Sequence, residues 1–275
     1  MSELICGNSI QLMPAMVQRL APSFNMIFLD PPFFEWHDRI MKGVDAKERY
    51  GQGGKPDHSK LSVLTLNLLK LNGVVWLCGT QPQLIEDYHH WSRFFRVVFE
   101  LIQYKHSGTP PINQWQPIRT HENIWCMIRN NAKISDTHLD LSKVTQKGKK
   151  ITAKEGGDRM KIRYGKTWLE WRSDVGYPKS VWECLQIKQG SKEYVGHPTQ
   201  KPRRLIELII KMSTDEGDWI LDPFAGSGTT LIESEANNRK CLAIEIKREY
   251  CDMIRKRMLR LKEMKRLSQF MAPNA

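Results

Sequence analysis

Two short stretches of this chain carry residue types that suit chemistry at a turn. Residues 222–230 read Asp222-Pro-Phe-Ala-Gly-Ser-Gly-Thr-Thr230, between the apolar run Trp219–Leu221 and a helical stretch from Thr229. Gly226 and Gly228 permit a tight strand-to-helix turn, and without β-carbons they let a ligand approach the backbone and the amides of the helix N-terminus. Glu245 follows Gly226 by 19 residues at the end of the next apolar run, where a carboxylate can grip ribose hydroxyls. Leu231 stands where the third glycine of a dinucleotide fingerprint would be, so nicotinamide binding loses ground. The second stretch, Asp30-Pro31-Pro32-Phe33, follows the apolar run Phe24–Leu29. Consecutive prolines can neither continue a hydrogen-bonded central strand nor easily enter a helix. They make a stiff corner presenting a carboxylate, a carbonyl and an aromatic face; the plain structural alternative is a proline turn with Phe33 buried.

Apolar runs of strand length recur at 24–30, 73–79, 96–105, 123–129, 218–224 and 240–246. Short runs of this kind, apolar throughout, suit strands buried on both faces, as in a parallel sheet covered by helices. Leu61, Leu64, Leu68 and Leu69 follow one helical face, as do Leu205, Leu208, Ile209 and Met212, with Pro202 near the second helix's start. Strand and helix alternate, which predicts an α/β doubly wound core. From about Ser107 to Val195 that rhythm breaks, and a smaller inserted region is expected. Within it, Leu141–Arg172 holds ten lysines and arginines against three acids, interleaved with Tyr164, Trp168 and Trp171. That mixture suits phosphate contacts and base stacking, or a solvated basic loop anchored by its aromatics. Lys147, Lys149, Lys150, Arg159, Lys161 and Arg163 are the candidate DNA contacts.

At ~150 residues per domain, 275 residues allow about two domains. The excess of 42 basic over 30 acidic side chains gives a net charge of +12, favouring a polyanionic partner. The six cysteines match neither zinc-ligand spacing nor a disulfide framework, so all are read as reduced, mostly core, thiols and no metal is expected. No apolar run approaches the ~18 residues that cross a bilayer, and a cytoplasmic protein with no membrane partner is expected. The stretch 41–60, with Gly43, Gly51, Gly53 and Gly54, is a candidate lid or a passive linker. The tail Arg248–Arg266 carries Met253, Arg257, Met258 and Leu261 at helical spacing, an amphipathic surface helix.

With Asp30–Phe33, His197-Pro-Thr-Gln-Lys-Pro202 and Asp222–Thr230 in that order, the sequence resembles the amino-methylating DNA methyltransferases of the permuted group. In that group the catalytic tetrad precedes the target-recognition region and the cofactor glycines come last. The resemblance implies a Rossmann-like methyltransferase core with catalytic half 1–106, target-recognition region 107–195, and cofactor half with C-terminal helix 196–275. It implies S-adenosylmethionine as cofactor, with Phe224, Gly226, Gly228 and Thr229 at its site, Glu245 on the ribose, Asp222 near the methionine portion, and Thr199 and Lys201 in the segment that closes the pocket. The tetrad Asp30, Pro31, Pro32 and Phe33 is then catalytic. Asp30 and the Pro31 carbonyl accept the two amino hydrogens, leaving the nitrogen lone pair aimed at the sulfonium methyl, and Phe33 stacks on a flipped-out base. Two departures stand out: Gly7-Asn8 where the family usually has an aspartate after the glycine, and Phe33 where tyrosine is commoner.

The expected partner is double-stranded DNA and the preferred target is adenine N6, since cytosine-modifying relatives more often begin the tetrad with serine. Cytosine N4 is the alternative within the same chemistry. Methylation at cytosine carbon 5 uses a cysteine after proline, and no Pro-Cys pair occurs. A noncatalytic DNA-binding module on the same fold, and a methyltransferase acting on protein or RNA, are readings from other classes. Homodimers are common in the family, though no stripe of residues marks an interface.

Overall fold

The computed structural model describes residues 2–32, 56–109, 117–144, 146–147, 161–164, 167–170, 175–176 and 179–271. In chain order the elements are β1 (Glu3–Cys6), α1 (Ser9–Leu20), β2 (Phe24–Leu29), α2 (His58–Leu68), β3 (Leu69–Gly79), α3 (Gln81–Trp91), β4 (Phe95–Thr109) and β5 (Arg119–Arg129). The short strands β6 (Gln146–Lys147), β7 (Lys161–Tyr164), β8 (Thr167–Glu170), β9 (Val175–Gly176) and β10 (Val181–Glu183) follow. Then come α4 (Arg203–Ser213), β11 (Trp219–Asp222), α5 (Thr229–Ala236), β12 (Lys240–Glu245) and α6 (Arg248–Met271).

Eight strands form one sheet in the order β1-β12-β11-β2-β3-β5-β4-β10. Both faces are buried, which explains the unbroken apolar runs. Along β2 and β3, Met26, Phe28, Val74, Trp76 and Cys78 point into one core cluster and Ile27, Leu29, Val75 and Leu77 into the other. Helices α1, α2 and α3 cover the second face, through Met13, Met16, Leu61, Leu68, Leu84 and Trp91. The first face is covered by α4 and α5, through Leu205, Ile209, Leu231 and Ile232, and by Ile254 of α6. Buried side-chain bonds fix the layers: Trp76 Nε1 donates to Ser213 Oγ at 2.7 Å and Trp91 Nε1 to His58 Nδ1 at 3.0 Å. This is the doubly wound α/β architecture.

Three details differ from expectation. The sheet is mixed, because β5 runs antiparallel to both β3 and β4; burial on two faces sets an apolar run but carries no record of strand direction. Leu69 belongs to β3 and not to the preceding helix, which ends at Leu68. Strands β5 and β10 come from within 107–195 yet pair in the core sheet, so the break in sequence rhythm there does not bound a wholly separate unit. The cysteine reading is also corrected. Cys6, at the end of β1, is joined by a disulfide to Cys251 in the first turn of α6, with the Cα atoms 6.2 Å apart. Pairing of Cys6 with Glu245 in the sheet brings the end of β1 beside the helix that follows β12. Cys78, Cys126, Cys184 and Cys241 are free and buried, as expected. Among the described residues no helix is long and apolar enough to cross a membrane.

Strand order reverses between β2 and β11, which lie side by side and parallel, Ile220 opposite Met26 and Leu221 opposite Ile27. One half of the chain winds outward from β2, the other from β11. A crevice outside the carboxyl ends of two such strands is where open α/β sheets hold ligands. Asp30 and Asp222 stand at those two ends.

Candidate active site

The residues at this switch point line one cavity of about 810 Å³, within the ~300–1,000 Å³ of small-molecule sites. Asp30, Pro31 and Pro32 come from the end of β2 and Thr199 and Lys201 from the segment before α4. Asp222, Phe224, Gly226 and Thr229 come from the turn after β11, and Glu245 from the end of β12. Ten of the twelve residues singled out for catalysis and cofactor binding therefore line one cavity.

Each position has a local cause. Three side-chain contacts help hold the backbone of the turn after β11: Phe224 N–H donates to Asp222 Oδ1 at 3.0 Å, Gly226 N–H to Glu245 Oε2 at 2.8 Å, and Arg257 Nη1 of α6 to the Ser227 carbonyl at 2.5 Å. Both glycines have left-handed backbones, φ +52° at Gly226 and +75° at Gly228, a region costly for residues with a β-carbon. They serve different neighbours. A β-carbon on Gly226 would lie 3.1 Å from the His197 ring beside the cavity. One on Gly228 would lie 2.7 Å from Ile254 Cγ1. Gly228 is thus set apart from the cavity wall, its missing side chain admitting α6. The residue after the early glycine, Asn8, caps α1 by accepting from the Ile10 N–H at 2.9 Å, and Gly7 and Asn8 both line the cavity.

Charge in the site is unusual. Lys201 Nζ donates to both oxygens of Asp30, at 2.7 and 2.6 Å, and lies 3.1 Å from Glu122 Oε2. Lys105 pairs with the other oxygen of Glu122. Burial raises the Asp30 carboxyl, against the pull of Lys201. Burial also acts to raise Glu122, but Lys201 and Lys105 outweigh it and hold that carboxyl at about 2. Lys201 is pushed upward, the two carboxylates overcoming its desolvation. Asp222 is raised by burial to about 7 despite bonds from the Thr230 hydroxyl and the Phe224 amide. His197 packs edge-on against Tyr250, ring centres 4.4 Å apart, and burial with Lys201, Lys247 and Arg257 nearby lowers it to about 4. Its ring is neutral at pH 7.

Glu122 and Lys105 escaped the sequence reading, although Glu122 is the one acid in the strand Arg119–Arg129. Glu122 stands in the polar first half of that strand, Arg119-Thr-His-Glu-Asn123, so nothing local set it apart from a solvated acid. Phe33, Lys149, Lys150, Arg159 and residues 41–55 of the candidate lid lie outside the described residues. Lys147 falls in β6, and Lys161 and Arg163 fall in β7, which pairs with β8.

Comparison with known proteins points the same way. Residues 24–256 match the family described as DNA methylase. The chain is 36% identical over 261 residues to the type II methyltransferase M.HpaI of Haemophilus parainfluenzae, spanning 93% of this chain and 73% of that one. Over 103 residues it is 41% identical to the DNA adenine methyltransferase YhdJ of Escherichia coli K12, spanning 38% and 35% of the two chains. Among solved structures, the cytosine-N4-specific PvuII DNA methyltransferase superposes with a TM-score of 0.63 at 16% identity, over 93% of this chain and 86% of that one. The M1.HpyAVI–SAM complex does so at 0.58 and 18%, over 94% and 100%. Identities this low establish a shared fold.

Proposed function

Because the chain belongs to the DNA methylase family, we propose that it transfers a methyl group from S-adenosylmethionine to the exocyclic amino nitrogen, N6, of adenine in double-stranded DNA. The observation that carries this reading is the shared cavity: Asp30 and Pro31 face the same space as Gly226 and Glu245, although nearly two hundred residues separate the two turns. Support for adenine comes from the aspartate that opens the tetrad and from the similarity to an adenine methyltransferase. Support for the cofactor comes from the fit of the residues and from the fold shared with a protein solved in complex with SAM.

The residues present suit that cofactor. The Gly226 turn leaves the backbone open, the Glu245 carboxylate is fixed by the Gly226 and Lys247 amides at 2.8 Å each, and Phe224 offers an aromatic surface beside them. We assign the ribose to Glu245 and the methionine portion to Asp222. S-adenosylmethionine, when bound, supplies a methyl group on a positively charged sulfur. Everything else must come from the chain. The amino lone pair of adenine is conjugated into the ring, so two acceptors that hold its hydrogens favour a pyramidal, nucleophilic nitrogen. The Asp30 carboxylate and the Pro31 carbonyl are those acceptors, and Asp30 takes the proton released after transfer. Extruding the base costs a few kcal/mol; stacking on Phe33 returns about 1–3 kcal/mol. Target recognition we assign to the part of 107–195 outside β5 and β10, with Lys147, Lys149, Lys150, Arg159, Lys161 and Arg163 on the phosphates.

Incubation with methyl-labelled S-adenosylmethionine and DNA, followed by digestion to nucleosides, tests the reading. Label in N6-methyladenine is expected. Label in N4-methylcytosine would move the target to the second reading, which the shared fold with a cytosine-N4 enzyme keeps open. DNA binding with no label in any nucleoside would identify a noncatalytic module.

A further inference from the structure

The charges behind Asp30 exceed what the proposed chemistry uses, and their arrangement poses a problem for it. Lys201 engages both oxygens of Asp30, the same oxygens that must accept a hydrogen and then a proton from the target amine. An ammonium at that place also opposes the positive charge that develops on the nitrogen as it takes the methyl group. The Lys201 side chain is only 9% exposed, so the ammonium cannot withdraw into water without a large rearrangement. An alternative anion has to lie within its reach.

Glu122 meets that requirement. It enters the site from β5, the antiparallel strand, and its Oε2 is 3.1 Å from Lys201 Nζ while Oε1 pairs with Lys105. We propose that Glu122 is a positioning residue for methyl transfer: it gives the Lys201 ammonium a second seat and draws it off Asp30 as the target base enters. The proposal rests on the methyl-transfer reading above. Asp30, Lys201, Glu122 and Lys105 alternate in sign and sum to zero, so a short slide of the ammonium brings no net charge into a buried site. The charges of Lys201 and Lys105 hold the Glu122 carboxyl below the usual carboxylate range, which favours its ionised form. Asp30 is faced by Lys201 from the segment before α4, Glu122 from β5, Lys105 from β4, Asp222 from β11 and the buried Cys78 thiol from β3. The negative charge of Glu122 raises Asp30 and the positive charge of Lys105 lowers it.

Opposite charges make the test specific. Single-turnover transfer, with full-length protein and saturating donor and DNA, is measured against pH for wild type, E122Q and K105M. E122Q should lower the plateau rate by about 10- to 100-fold, the range for a misplaced reacting group, while donor and DNA affinities stay close to wild type. Its acid limb, set by ionisation of Asp30, should move to lower pH, and that of K105M to higher pH. A packing defect would not move the limbs in opposite directions, and each variant reports on its own if the other fails to fold. E122Q at the wild-type rate, or limbs that stay in place in both variants, would overturn the proposal. Wild type that transfers no methyl strikes the functional reading and the proposal together; active wild type with an unaffected E122Q strikes the proposal alone.

Discussion

Asp222 is 2% exposed and its carboxyl sits near pH 7, raised by burial with further help from the negative charges of Asp30 and Glu245. A donor carrying a sulfonium and an ammonium favours the ionised form of such a group. Linkage fixes the sign: below about 7 the free protein holds a proton there that binding must expel, so affinity for S-adenosylmethionine should rise as pH increases through that value and level off above it. Calorimetry in buffers of differing ionisation heat should show proton release in this window, absent in D222N; affinity that is flat or falling there would contradict the assignment. Asp222 and Asp30 were both legible in the sequence because each closes an apolar strand and opens a turn of unusual composition. The pairing of Asp30 with Lys201 was not, since an ion pair spanning 171 positions leaves no local mark. Glu122 was hidden for the same reason.

The turn between β11 and α5 is where local sequence and tertiary packing meet. Gly226 and Gly228 were read together as room for a ligand, yet only Gly226 borders the cavity, while Gly228 packs against Ile254 of α6. Spacing within a turn reveals that β-carbons are excluded; which neighbour excludes them depends on a helix encoded more than twenty residues later. The two positions should therefore fail differently. G228A combines a left-handed backbone with a 2.7 Å contact and should cost about 2 to 4 kcal/mol of stability, visible as a lower denaturation midpoint. G226A should act mainly on donor affinity, through the displaced His197 ring and the narrowed approach. Equal loss of stability in the two variants, with donor binding intact in both, would show that the turn has no ligand on either side. Strands were legible by the same logic: burial on two faces produces apolar runs, so six of the eight sheet strands were found, whereas the edge strands β1 and β10, only partly buried, were missed.

Across the whole molecule, a net charge of +12 and a doubly wound sheet work at different ranges. The charge gathers DNA from a distance without reading it, and a site making about six phosphate contacts should lose roughly 10³-fold in affinity between about 50 and 200 mM salt. Titrations of DNA binding across that range check this, and an affinity insensitive to salt would contradict an electrostatic footprint. The sheet sets the reaction, because reversal of strand order between β2 and β11 is what brings a proline corner near residue 30 beside a glycine turn near residue 226. The order of the motifs along the chain was readable; their meeting was an inference from α/β topology that the shared cavity supports. The most direct test is a division of labour between the two turns, measured by donor affinity and single-turnover transfer in wild type, D30A and E245A. The account predicts that D30A binds S-adenosylmethionine as wild type does yet loses transfer by about 10²–10⁴-fold, and that E245A binds it weakly but recovers most of the transfer rate at saturating donor. D30A that keeps its transfer rate, or that loses donor binding to the same degree as E245A, would contradict it.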